Sequence, residues 1–156
     1  MATSDVGRAI EALAAIAKPA KIVALSQSRA AQQMRIARSC YDHLAGKLGV
    51  GITEALVSRK QLVPVGRRSY RVTADGSAYF LRLGIDVEAL FSKKRSFARQ
   101  CIDWTERRPH LAGALGAALR EYLFEGGWIA CTKTSRALRI SPEGHTAIEQ
   151  HFGIRL

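Results

Sequence analysis

The stretch Ala37-Arg38-Ser39-Cys40-Tyr41-Asp42 returns later in the chain as Ala98-Arg99-Gln100-Cys101-Ile102-Asp103. His43-Leu44-Ala45-Gly46-Lys47-Leu48-Gly49 follows the first copy, and its counterpart is His110-Leu111-Ala112-Gly113-Ala114-Leu115-Gly116, reached after an insertion around Trp104 to Pro109. Further on, Glu54 and Leu56 match Glu121 and Leu123. Arg71-Val72-Thr73-Ala74-Asp75-Gly76 matches Arg139-Ile140-Ser141-Pro142-Glu143-Gly144, and Gly84-Ile85 matches Gly153-Ile154. So many identities in one order, with only small insertions, are hard to attribute to chance, and self-similarity of this kind sets the architecture before any local reading does. The chain reads as two copies of one supersecondary unit, residues 34–90 and 91–156, behind an N-terminal helix and linker, residues 1–33.

Each copy is expected to open with a helix through its His-Leu-Ala-Gly segment, where small residues let another backbone approach closely. A second helix carries Ile52, Leu56 and Val57, or Leu119, Leu123 and Phe124. Apolar runs then flank a polar tip: Leu62 to Val65 and Tyr70 to Val72 around Gly66-Arg67-Arg68, and Trp128 to Thr132 and Leu138 to Ile140 around Lys133-Thr134-Ser135-Arg136. This is a hairpin pattern. Thr73 and Ser141 stand as N-caps of a closing helix, with Pro142 at the favoured first position of the second. Helix, helix, hairpin, helix predicts a winged-helix-like unit. Upstream, Val6, Ile10, Leu13 and Ile16 recur at helical spacing, with Ser4 or Asp5 as cap and a stop near Lys18-Pro19. The polar run Ser26 to Gln33 reads as a linker into another helix. The expected fold is therefore α+β and helix-rich: an N-terminal helix, then two pseudo-symmetric winged-helix-like repeats packed together. A single short amphipathic helix is marginal in water, so its apolar face calls for a partner surface, the rest of the chain or a second subunit in a homodimer.

With 156 residues, 47% of them hydrophobic, the chain can bury one good core or two small ones. No stretch approaches the roughly 18 consecutive apolar residues of a membrane span, and Met1 to Arg8 lacks the layout of a secretory signal. A cytoplasmic location without membrane contact is expected. The three cysteines, Cys40, Cys101 and Cys131, form no Cys-x-x-Cys pair and fit free thiols in a reducing compartment. The net charge of +11 makes nucleic acid, and DNA in particular, the leading partner class, because a surplus of Lys and Arg attracts polyanions at long range. A merely basic surface is the competing explanation.

The segments Cys40-Tyr41-Asp42-His43-Leu44-Ala45-Gly46 and Asp103-Trp104-Thr105-Glu106-Arg107-Arg108-Pro109-His110-Leu111-Ala112-Gly113 resemble the C-terminal region of a subset of ArsR-type winged-helix transcription regulators. The likeness covers most of the chain. It implies transcription regulation, with a DNA-binding winged helix of roughly 80 to 100 residues, a length typical of small domains, ahead of a segment similar to Asp5 to Ala17. No helix-turn-helix pattern stands before the first amphipathic helix, so the expectation is a regulatory or dimerising half without that domain.

Arg67, Arg68, Lys133 and Arg136, at the hairpin tips, are the candidate nucleic-acid contacts, since a basic wing reaches phosphates or a minor groove. Ser92-Lys93-Lys94-Arg95-Ser96 is a second basic cluster with the character of a solvated linker. Cys40, Asp42, His43, Cys101, Asp103 and His110 recur in equivalent places. If the units pack about a pseudo-twofold axis, these six converge, and thiolate, imidazole and carboxylate together suit zinc or another transition metal. Buried cysteine as a small hydrophobe, and repeated packing, are the competing reading. The alternative function is then a metal- or small-ligand-sensing interaction module that does not itself bind DNA. Trp104 reads as core or loop material, and Arg107, Arg108 and His110 as the lining of a pocket for an anionic ligand. No Walker loop, Gly-x-Ser-x-Gly or His-Glu-x-x-His is present, and Gly49-Val50-Gly51 reads as a helix junction, so an enzyme is not expected.

Overall fold

Leu44 and its neighbours bury every side chain of a three-residue run, and burial on both faces favours a strand over a half-exposed helix. In the computed structural model, which describes residues 4–17, 29–92, 95–133 and 135–156, β1 (Arg38–Cys40) and β2 (His43–Ala45) form a tight antiparallel hairpin with Cys40 opposite His43. Tyr41 turns the chain with φ of 55°. The same arrangement recurs in β5 (Arg99–Ile102) and β6 (Pro109–Ala112), where Cys101 lies opposite His110. The His-Leu-Ala-Gly segments therefore do not open helices, which corrects the sequence expectation. Gly46 and Gly113, at φ of 77° and 85°, turn each strand directly into one helix, α3 (Gly46–Ser58) or α6 (Gly113–Glu125). Gly49-Val50-Gly51 accordingly lies inside α3 and is not a junction.

Two further hairpins follow as the apolar runs predict: β3 (Leu62–Val65) with β4 (Ser69–Val72), and β7 (Ile129–Cys131) with β8 (Leu138–Ile140). Closing helices α4 (Ala74–Arg82) and α7 (Pro142–Phe152) start where they should: Gly76 N–H donates to Thr73 Oγ1, and Gly144 N–H to Ser141 Oγ, each at 3.0 Å. The first copy adds a short α5 (Val87–Phe91), capped by Asp86. Ahead of them lie α1 (Ser4–Ile16) and α2 (Arg29–Ile36). Residues 29–33, expected as linker, are thus helical; Ser26, Lys18 and Pro19 and the side chains of Ser4 and Asp5 lie outside the described residues. The fold is α+β, with seven helices among the described residues and antiparallel sheets.

Pairing between the segments is reciprocal. Tyr70 N–H donates to Ala98 O at 3.0 Å and Gln100 N–H to Arg68 O at 2.9 Å, which joins β4 to β5 in a sheet of order β3-β4-β5-β6. At the matching positions Leu138 N–H donates to Ala37 O and Ser39 N–H to Arg136 O, both at 2.9 Å. Helices follow the same exchange, α3 packing on β6 and α6 on β2. One continuous core collects Leu48, Leu56, Phe80, Leu115, Leu123 and Phe152 from both stretches. By contrast, the apolar stripe of α1 faces outward, with Val6, Ile10, Leu13 and Ile16 exposed by 46, 60, 62 and 80%.

The turn from each strand into its helix leaves no room at two helical glycines. A Cβ on Gly49 would lie 2.5 Å from Leu44 O, and one on Gly116 would lie 2.5 Å from Leu111 O and 3.3 Å from His43 Cβ. Close backbone approach is thus the reason for a small residue there. Gly116→Ala is expected to lower unfolding free energy by about 1–3 kcal/mol, the usual cost of overpacking, read as an earlier midpoint in urea with unchanged far-ultraviolet dichroism.

Candidate functional site

The two hairpins of matching sequence put a cysteine and a histidine side by side on neighbouring strands, because cross-strand partners share one face. Packing of β2 against β6 brings the two pairs together. Donor atoms of Cys40, His43, Cys101 and His110 all lie within 4.8 Å of one another. The sulfur atoms are 4.0 Å apart and the imidazole centroids 5.1 Å apart. His43, Cys101 and His110 are buried and Cys40 is half-buried. Among the described residues, His43 Nε2 and both ring nitrogens of His110 meet no hydrogen-bond partner. The Cys101 sulfur holds the Cys40 thiol well below its ordinary pKa, against burial and with help from the His110 and His43 rings.

Asp42 and Asp103 occupy equivalent places in sequence but not in the structure, and neither belongs to the four-donor set. Asp103 is completely buried. Arg38 Nη2 donates to both of its oxygens at 2.8 Å, Gly46 N–H donates to Oδ2 at 2.7 Å, and the N–H groups of Thr105 and Glu106 donate to Oδ1 at 2.9 and 3.0 Å. Oδ2 also faces His110 Nδ1 at 3.5 Å. Burial opposes ionisation of this carboxyl, but the Glu106 and Gly46 N–H groups and the Arg38 guanidinium outweigh it and hold the pKa far below the carboxylate range. Asp42 is about half exposed, at 46%; it accepts from Arg95 Nη1 at 2.7 Å and lies 3.4 Å from His43 Nδ1. Here too burial raises the pKa, and the bonds from Arg95 and His43 lower it further than that.

Arg67, Arg68, Lys133 and Arg136 are exposed at the tips of β3–β4 and β7–β8. Lys93 and Lys94 lie outside the described residues, and Arg95 is engaged by Asp42. Arg107, Arg108 and His110 do not gather into an anion pocket. Arg107 donates to Ala17 O, Arg108 pairs with Glu54 at 2.6 Å, and His110 sits inside the buried cluster. Trp104 is exposed, its ring centroid 4.7 Å from the Arg38 guanidinium carbon. Arg38 is the functional residue that sequence reasoning passed over. Its recurrence in the Ala-Arg pair beside each cysteine, as Arg38 and Arg99, was the available signal. No helix of the described residues is long and apolar enough to cross a membrane.

The chain is 41% identical to an uncharacterized HTH-type transcriptional regulator, YdfF, of Bacillus subtilis (strain 168), over 156 residues that span the whole chain and 69% of that protein. No protein-family model matches the chain. No solved structure matches it significantly.

Replacing one member of a buried ion pair strands the other, at a cost of about 3–5 kcal/mol, whereas an exposed pair contributes about 0–1 kcal/mol. Asp103→Asn should therefore destabilise strongly and Asp42→Asn hardly at all in paired urea titrations. Because the folded pKa of Asp103 is depressed, its stabilisation is present above the usual carboxylate range and is lost as pH falls toward the lowered folded value. The difference between wild type and Asp103→Asn should shrink accordingly in acid. Equal costs for the two variants would contradict the assigned roles.

Proposed function

This chain belongs to the family of the HTH-type transcriptional regulator YdfF, and from that premise we propose that it is the regulatory and dimerising half of an ArsR-like regulator, one that also touches DNA through its own hairpin tips. The observation that carries this reading is the placement of Arg67 and Arg68 on one hairpin tip, and of Lys133 and Arg136 on the other, exposed on a chain of net charge +11. Basic side chains on a projecting hairpin can neutralise phosphates, and each phosphate contact adds to a salt-dependent affinity. Residues 34–90 and 91–156 act in this reading as two pseudo-symmetric winged-helix-like units. The reciprocal hydrogen bonds of Tyr70 with Ala98 and of Leu138 with Ala37 support that pairing. A regulator of transcription works beside the chromosome, so the place of action is the cytoplasm.

Subunit pairing is assigned to α1. Four large apolar side chains exposed along one stripe are a surface that a second copy of the same helix would cover, as the short length of the helix demands. Leu13→Asp should shift the chain toward monomer in analytical ultracentrifugation. A chain already monomeric at high concentration would remove the dimerising role.

A second reading is favoured by the buried Cys40, His43, Cys101 and His110 cluster: a metal- or small-ligand-sensing interaction module that leaves DNA to another part of the regulator. Fluorescence anisotropy with random-sequence duplex DNA at low and moderate salt separates the two. Direct contact predicts binding whose salt slope falls by roughly one for each phosphate-contacting Arg or Lys removed, as in Arg67→Gln, Arg68→Gln and Lys133→Gln. Absence of binding even at low salt would leave the sensing module.

A further inference from the structure

We propose that Cys40, His43, Cys101 and His110 together bind one tetrahedral divalent ion of the zinc type, which clamps the hairpin β1–β2 to the hairpin β5–β6. The site does not depend on DNA contact; it supplies the ligand class for the sensing reading. Four donors, two sulfur and two nitrogen, are the set that tetrahedral zinc prefers, and thiolate donors discriminate against magnesium and calcium, which take oxygen. The size fits. With zinc–sulfur bonds of about 2.3 Å, two thiolates on one tetrahedral ion stand about 3.8 Å apart, and the sulfurs of Cys40 and Cys101 are 4.0 Å apart. All four donors fall within 4.8 Å of one another with no disulfide between the cysteines.

Packing explains buried cysteines but not this pair of histidines. A buried polar nitrogen without a partner costs about 1–3 kcal/mol, yet His43 Nε2 and His110 Nε2 meet no hydrogen-bond partner among the described residues. His43 Nδ1 is hydrogen-bonded to Asp42 Oδ1 at 3.4 Å, and His110 Nδ1 faces Asp103 Oδ2 at 3.5 Å without a hydrogen bond. Metal-bound histidines are oriented in this way, with the carboxylate fixing the ring and its tautomer. Nε2 is thereby left as the donor of His43, and His110 brings two ring nitrogens with no partner among the described residues. Asp42 and Asp103 are then positioning residues, which explains why they recur with the cluster without joining it.

The donors are also held in advance. Each Cys-His pair is locked by the antiparallel register of its own hairpin, so the chain loses little freedom on closing around an ion. A cleft of about 590 Å³, walled by Gly7 and Arg8 of α1 and by Asp42, His43 and Arg99, reaches the edge of the cluster at His43.

The test uses the full chain, reduced and stripped with a chelator, titrated with cobalt(II) as the probe and then with zinc(II). The expected result is one ion per chain and sulfur-to-cobalt charge-transfer absorption of two thiolates. Tetrahedral d–d bands should appear, zinc should displace the cobalt, and the melting temperature should rise with one equivalent of zinc. Cys131→Ser removes the exposed third cysteine and should keep every signal, whereas Cys40→Ser and His110→Gln should lose the tetrahedral bands. No charge-transfer band in the wild type, or a band that survives Cys40→Ser, overturns the proposal. If Cys40→Ser or His110→Gln fails to fold by circular dichroism, the wild-type spectrum decides: fewer than two thiolates, or octahedral bands, overturns it. DNA binding is not read at any point, so loss of the hairpin-tip reading leaves the outcome untouched.

Discussion

The Asp103 carboxylate is the point on which the two stretches of this chain close. It is fully buried and takes hydrogen bonds from Arg38 in β1, from the backbone of Gly46 at the start of α3, and from its own loop at Thr105 and Glu106. A charge in that position is tolerable only while every partner is present, because the solvation it gave up is several kcal/mol. The loop between β5 and β6 is therefore shaped by what it must deliver to the first hairpin. The insertion around Trp104 to Pro109, which looks in sequence like a surface elaboration of one copy, is the element that carries this contact.

Reciprocal strand pairing extends the same logic to the rest of the molecule. The tip hairpin that follows α3 completes the sheet of β5 and β6, and the one that follows α6 bonds back to the segment beside β1. Neither stretch satisfies its own backbone, and each helix packs against the other's hairpin. Buried N–H and C=O groups must find partners somewhere, so the two stretches fold around one core. At Gly116 that closeness is steric, since a Cβ there would lie 3.3 Å from His43 Cβ of the other stretch.

Much of this was legible in the chain. Of the six recurring residues Cys40, Asp42, His43, Cys101, Asp103 and His110, the structure brings four together and leaves the two aspartates outside the set, and Thr73, Ser141 and Pro142 located two helix starts to the residue. Legibility failed where tertiary pairing overrode local pattern. His43-Leu44-Ala45 carries no alternation that would announce a strand; burial on both faces makes it one. Asp42 and Asp103 were indistinguishable in sequence, and only the insertion after Asp103, folding back to Arg38, sends one inward and leaves the other beside Arg95. The role of Arg38 is set by a carboxylate that lies 65 residues away in sequence, which no local pattern announces.

The cluster and the basic tips are close neighbours along the hydrogen-bonded backbone. Arg68 O accepts from Gln100 N–H, and Gln100 adjoins Cys101; Arg136 O accepts from Ser39 N–H, and Ser39 adjoins Cys40. Each tip arginine is thus one hydrogen bond and one residue from a sulfur of the cluster, and the two routes are equivalent. An ion on the two sulfurs and a polyanion on the two tips, as proposed above, would therefore meet on the same pair of hydrogen bonds between the stretches. Were both proposals to hold, a polyanion that tightened the ion would be tightened by it in the same proportion.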